Sequence, residues 1–318
     1  MSEPTLEPLL TKLYGRPLPT IELVKLKGDA STRQYYRARI EGAASPTPPS
    51  LIVMQLPEDA GRSDEGGAQP ELARLPFLEV GELLSERALP VPKVYGEDLD
   101  HGVLLHEDLG DQTFYDALME TTRERWAGYY ERAVDLLAEL HERCADLPDP
   151  SIVRRRCFDR PLIDWELEHF RQWGLEAPFG RRSAAEQAVL DDAFRAIADA
   201  VEAMPLGFVH RDYQSKNLMV AENGDLTIID FQDALMGPRV YDLVALLCDS
   251  YVSLEPELQH AMIDRYAALR RIEPEELRTE FRWVTLHRKL KDAGRFVFID
   301  RVRHNSDFLR WFPQSLVY

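Results

Sequence analysis

The chain is poor in cysteine, in basic residues relative to acidic ones, and in long apolar runs. Cys144, Cys157 and Cys248 are its only cysteines, and an odd, widely spaced set gives neither a disulfide framework nor a zinc-ligand spacing. A catalytic thiol would need a neighbouring base, and these three read as packed or incidental thiols. Lysine and arginine number 38 against 55 acidic residues, a net charge of -17, which repels a phosphate backbone and argues against a nucleic-acid partner. No apolar run approaches the roughly 18 to 20 residues of a membrane span. The opening "MSEPTLEPLL" has neither the basic nor the apolar region of a secretory leader. The expectation is a cytoplasmic, monomeric protein with no membrane partner.

What is present is the composition of a soluble globular protein, 45% hydrophobic and 29% charged. A length of 318 residues exceeds one compact core and favours two packed lobes. The first third reads as strands and turns: "IELVKLKG", "RQYYRARI" and "LIVMQL" carry β-favouring residues, and the Pro-rich "ASPTPPS" connects the last two. "ELARLPFLEVGELLSERA" places Leu72, Leu75, Leu78, Leu83 and Leu84 on one helical face, and "KVYGED" and "HGVLLHEDL" follow as strands. After Gly110 helical spacing dominates, as in Phe114, Leu118, Trp126, Tyr130, Val134, Leu137 and Leu140. The expected division is an N-lobe of residues 1–108 and a C-lobe of residues 109–318.

The chemistry concentrates in "GFVHRDYQSKNLMV" and the "NLMVAENGDLTIIDFQD" that overlaps it. Asn223-Gly224 between two β-type segments is a hairpin signal. With a two-residue loop Glu222 would face Asp225, and Asn217 would face Asp230 at the hairpin's open end. An amide oxygen and a carboxylate are hard ligands of the kind magnesium accepts, with phosphates and water completing its shell. Asp212, five residues before Asn217, could take the proton of a hydroxyl held there. Base, amide and carboxylate together describe phosphoryl transfer. The bland alternative is a solvated turn beside an unrelated strand.

His210, Arg211, Asp212 and Asn217, followed by "IDFQD", resemble the catalytic loop and metal-binding segment of kinases. Tyr213 and Gln214 stand where protein kinases have a lysine two residues after the aspartate, and "GPRVYDLVALLCDSY" follows at once without an Ala-Pro-Glu segment. Both features are similar to aminoglycoside phosphotransferases. "GDASTRQYYR", "IVMQLPED", "LLHEDLG", "DFQDALMGPRVYDL", "RKLKDAGRF" and "FPQSLVY" further resemble bacterial anomeric kinases of N-acetylmuramate and N-acetylglucosamine. The resemblance implies an α+β, two-lobed kinase-like fold: a small N-lobe with an antiparallel sheet and one helix, and a larger, mostly helical C-lobe. It implies ATP and Mg2+ as cofactors and a sugar 1-phosphate as product. It puts Ser31, Thr32 and Arg33 near the nucleotide phosphates and Leu105, His106 and Glu107 at the adenine hinge. His210, Arg211 and Asp242 would order the catalytic loop, Asp242 being alternatively a helix cap.

One departure stands out. Protein kinases end the third strand with a phosphate-binding lysine, whereas this chain has Met54 and Gln55. Either the chain is a nucleotide-binding pseudokinase or another cation, with Arg33 the first candidate, holds the phosphates. Without that lysine its usual helix partner loses its role, and Glu79 and Glu82, the candidates for it, read first as solvated helix residues. On the substrate side, Glu166, Phe170 and Trp173 fit one helical face. Glu166 and Trp173 are therefore candidate sugar contacts, with core packing as the alternative for the aromatics. Asp233 is a candidate for metal or substrate, or a cap. A second small hydroxylated substrate class, aminoglycosides or amino alcohols, is compatible with the same motifs.

Overall fold

The structure, a computed structural model, describes residues 6–15, 20–26, 33–43, 48–57 and 74–317. It divides into two compact units, residues 1–62 with 90–111, and residues 63–89 with 112–318. An antiparallel sheet in the first unit and mainly helices in the second give the α+β class expected from the sequence.

The first unit is built on β1 (Ile21–Lys25), β2 (Gln34–Ile40), β3 (Ser50–Gln55), β4 (Val94–Asp98) and β5 (Val103–Glu107), in the order β1-β2-β3-β5-β4. All neighbours are antiparallel. Alternation sets one face: Ala38, Ile40, Leu51, Val53, Val103 and Leu105 form a single core with Leu9 and Leu10 of α1 (Glu7–Tyr14). The pairs Ala38 with Leu51 and Val53 with Leu105 lock that register, since a one-residue slip would turn each side chain to the opposite face. Arg37 on β2 grips the segment after β5, with Nε and Nη2 donating to Asp108 at 2.8 and 3.0 Å and Nη1 to Asp111 at 3.1 Å.

The second unit takes α2 (Pro76–Glu86), where Pro76 opens the helix, and all of the chain after Asp111. Leu72 of the expected helix lies outside the described residues. It continues through α3 (Phe114–Met119), α4 (Trp126–Arg143), α5 (Ile152–Arg155) and α6 (Arg160–His169). A π-helical stretch, Phe170–Glu176, leads through the single turn α7 (Ala177–Phe179) to α8 (Ala184–Glu202). Two ribbons follow: β6 (Leu206–Val209) pairs with β9 (Leu235–Pro238), and β7 (Leu218–Val220) with β8 (Leu226–Ile228). Three helices close the unit, α9 (Tyr241–Leu247), α10 (Pro256–Arg270) and the 30-residue α11 (Pro274–Arg303). α11 approaches the π-helical stretch closely because residue 294 is glycine. A Cβ there would stand 2.9 Å from Phe170 Cα and 3.2 Å from the His169 carbonyl oxygen.

The β7–β8 hairpin differs from its expected register. Leu218 pairs with Ile228 and Val220 with Leu226, so the loop is Glu222-Asn223-Gly224 rather than Asn223-Gly224 alone. Gly224 takes the left-handed conformation, φ +85, while Asn223 Oδ1 accepts from Asp225 N at 3.0 Å. A single left-handed glycine at the last loop position suits a three-residue loop, whereas an Asn-Gly two-residue turn of type I′ needs two positive φ angles.

Candidate active site

The slipped register places Asn217 opposite Ile229, whose N–H donates to its carbonyl at 3.1 Å. Asp230 then lies past the pairing, and a positive φ of 63 turns it back. That conformation costs energy in a non-glycine residue. Here it brings Asp230 Oδ2 within 3.4 Å of Asn217 Nδ2. The same nitrogen donates to the Asp212 carbonyl at 2.9 Å. Gln232 Nε2 donates to Asp230 Oδ1 at 2.8 Å, and Arg156 Nη1 fixes the Gln232 carbonyl at 2.7 Å. Asp212, Asn217 and Asp230 thus converge, with Gln232 and Arg156 as supports the sequence had not suggested. Asp233 lies 3.3 Å from Gln232 Nε2.

The loop before Asn217 is fastened from several sides. His210 and Asp242 are fully enclosed. Asp242 accepts the backbone N–H of His210 at 2.7 Å and of Arg211 at 3.0 Å, and His141 Nε2 donates to it at 3.1 Å. Asp242 lies in the first turn of the short α9, yet its carboxylate serves the loop rather than the helix end. The N–H of Asp212 donates to His210 Nδ1 at 3.2 Å, so the proton sits on His210 Nε2, which donates to the Ile229 carbonyl at 2.9 Å. Arg211 itself has φ 78. Tyr213 is buried, its hydroxyl donating to the Ala133 carbonyl at 2.9 Å, and burial drives its pKa well above the usual phenol range. Ser215 donates through N and Oγ to Asp249. Burial raises the Asp249 carboxyl, opposed by those hydrogen bonds.

Glu166 is fully buried. Arg211 Nη2 reaches its Oε1 at 3.3 Å and Lys291 Nζ lies 3.9 Å away. His287 Nε2 lies 3.6 Å from its other oxygen, and burial, with Lys291 alongside, pushes His287 down to about 3. Glu166 therefore braces the loop residue Arg211 from inside the unit. Trp173 goes elsewhere: the wider π-helical turn breaks the expected spacing, and Trp173 packs edge-on to Phe298 at 5.3 Å. The structure does not bring Glu166 and Trp173 into one contact set.

In the first unit, Ser31 and Thr32 lie outside the described residues, and Arg33 immediately precedes β2. Leu105 and His106 are buried and Glu107 half-buried at the end of β5. β5 runs between β3 and β4, so backbone groups along both its edges face strand neighbours, and Glu107 N donates to the Lys93 carbonyl at 2.8 Å. Burial pushes His106 down to about 4. Met54 is 1% exposed, and Gln55 Nε2 donates to the carbonyls of His101 and Gly102. In the second unit Glu79 Oε1 accepts the N–H of Ile152 at 2.7 Å, and Glu82 pairs with Arg74.

A kinase-like fold with an Asp-Asn-Asp constellation at the ends of two ribbons defines a phosphotransferase class. Residues 22–280 match the phosphotransferase enzyme family, and the chain belongs to it. It is 33% identical over 253 residues to the N-acetylmuramate/N-acetylglucosamine kinase of Pseudomonas aeruginosa, a match covering 78% of this chain and 66% of that one. The protein of the same name from Pseudomonas putida is 30% identical, with 74% and 62% covered, and that from Neisseria meningitidis 29%, with 88% and 79%. The match thus spans just under two thirds of the two Pseudomonas proteins. Among solved structures, the choline kinase LicA from Streptococcus pneumoniae superposes with a TM-score of 0.63 at 16% identity, covering 98% of this chain and 97% of that one. The ADP-bound aminoglycoside phosphotransferase APH(2'')-Ib gives 0.60 at 14%, covering 98% and 95%. Those two likenesses concern the fold. Among the described residues no helix is long and apolar enough to cross a membrane.

Proposed function

We propose that the chain is an ATP- and magnesium-dependent kinase that transfers the γ-phosphoryl group to the anomeric hydroxyl of N-acetylmuramate or N-acetylglucosamine, giving the sugar 1-phosphate. The observation that carries this reading is the convergence of Asp212, Asn217 and Asp230 through the Asn217 amide. The amino sugar is supported by the names of the relatives.

The donor set suits magnesium: Asn217 Nδ2 is committed to neighbouring oxygens, which turns the amide oxygen and the Asp230 carboxylate into the hard ligands, with phosphates and water to complete the shell. The ion supplies charge neutralisation across the phosphates. Asp212 orients the sugar hydroxyl and takes its proton as the sugar oxygen bonds to the γ-phosphorus and ADP departs. An anomeric hydroxyl is more acidic than an ordinary alcohol, so a weak base is enough. In the absence of a third-strand lysine, Arg33 is the cation proposed for the nucleotide phosphates.

A second reading, a nucleotide-binding pseudokinase, is favoured by buried Met54 and by the engagement of Glu79 with Ile152. A panel of reducing amino sugars, aminoglycosides and amino alcohols, incubated with ATP and magnesium and scored by mass spectrometry, separates these possibilities. The expected result is phosphate on N-acetylmuramate or N-acetylglucosamine. Phosphate only on an amine-bearing substrate, or ATP binding without turnover on any acceptor, overturns the proposal.

A further inference from the structure

α11 carries a run of charged residues, Arg288, Lys289, Lys291 and Asp292, that a helix normally turns to solvent. Here Arg288 and Lys289 are each 2% exposed. Lys289 Nζ donates to the Cys248 carbonyl at 2.6 Å and to Ser250 Oγ at 2.7 Å, on either side of the Asp249 that holds Ser215. Arg288 reaches the loop itself. Its Nη1 donates to the Arg211 carbonyl at 2.6 Å, and its Nη2 to Asp212 Oδ1 at 3.2 Å. Its guanidinium lies over the Tyr241 ring, 5.1 Å from the centroid.

Burying a guanidinium is costly unless each face and edge finds a partner, and this one is matched to a carbonyl, a carboxylate and an aromatic face. The carbonyl belongs to Arg211, whose φ of 78 needs external support. That residue is thereby held at both ends of its peptide units, by Asp242 at N and by Arg288 at O. The carboxylate belongs to the residue read above as the proton acceptor. Its side chain is 29% exposed while that of Arg288 is 3% exposed, so the guanidinium holds Asp212 from the protein side and leaves its accessible side to a substrate.

Resting on the reading of Asp212 as the acceptor, we propose that Arg288 is a positioning residue that fixes both the Asp212 carboxylate and the strained Arg211 peptide. Held in this way, Asp212 presents its carboxylate to the hydroxyl in one fixed orientation.

The test is a double-mutant cycle of Arg288→Met and Asp212→Asn, with Arg288→Lys as a charge-retaining variant, assayed with Mg-ATP and N-acetylglucosamine. Arg288→Met is expected to lower kcat by about 10²-fold, the scale of a misplaced catalytic group, with KM for both substrates changed less than about threefold. Coupling through Asp212 predicts that the same substitution in the Asp212→Asn background costs less than about threefold. Arg288→Lys, reaching one acceptor, should recover part of kcat; it takes the place of methionine in the cycle should the latter fail to fold. Losses that multiply in the double variant, or a KM effect alone, overturn the role of Arg288 while leaving Asp212 in place. An Asp212→Asn enzyme within tenfold of wild type instead overturns the acceptor reading, and with it this inference.

Discussion

The two units treat charge in opposite ways. The sheet unit seals its interior with apolar residues: near its end the third strand carries Met54, 1% exposed, and the buried His106 is driven toward its neutral form. Its main ionic cluster runs from the enclosed Arg37 and Asp108, 12% and 7% exposed, out to the surface at Asp111, 81% exposed. The helical unit buries Glu166, Arg211, Asp242, Asp249, Arg288 and Lys289, and all of them attach to the loop from His210 to Asn217 or to what holds it. Buried charge is expensive unless fully partnered. Its concentration around one eight-residue loop indicates that this unit spends stability on the geometry of a site, whereas the other unit is organised for packing.

The contrast predicts its own breaking points. The largest effect should come from Asp212→Asn, which removes the acceptor and is expected to lower kcat by about 10² to 10⁴-fold while the melting temperature stays near that of wild type. Next is Asp242→Ala. It strands two buried N–H groups and His141, at about 1 to 3 kcal/mol for each unsatisfied group, so calorimetry should show a large drop in melting temperature together with lost activity. Asp242→Asn keeps an acceptor and should fall between the two.

Much of this was legible beforehand, and the failures have physical causes. The alternating strands and the spacing of Asp212, Asn217 and Asp230 announced the sheet and the meeting of those three residues, because pleat and loop length are local properties. The hairpin register was misjudged by one residue since Asn-Gly serves two loop types, and nothing in the sequence marks the positive φ of Asp230 that restores the side-chain meeting. Arg288 and Lys289 were opaque for a different reason. A charged stripe at helical spacing looks identical whether it faces water or a buried loop, and only the long-range partners, Asp212 and Arg211, tell them apart. Gln232 and Arg156 escaped in the same manner.

Two smaller effects sharpen the comparison from the side of the sheet. Met54→Lys puts an ammonium into an apolar position without a built partner, and should destabilise the protein by about 2 to 4 kcal/mol without raising turnover. A gain in kcat would show instead that the missing cation limits the reaction. For His106 the folded pKa lies near 4, below the ordinary 6.5. The neutral form is favoured by folding, so its stability contribution is complete above about pH 6.5 and is lost as pH falls toward 4. Melting curves at pH 7.5 and 5.0 should therefore differ less for His106→Gln than for wild type, the smallest change of the set.

The position of the phosphate on the product is the most direct test. With Mg-ATP and N-acetylglucosamine or N-acetylmuramate, a phosphorus–proton correlation spectrum should couple the new phosphate to the anomeric proton, and the signal should be lost in Asp212→Asn. Coupling to any other ring or side-chain proton, or an undiminished anomeric signal from the Asp212→Asn protein, would contradict the assignment of that loop and its hydroxyl.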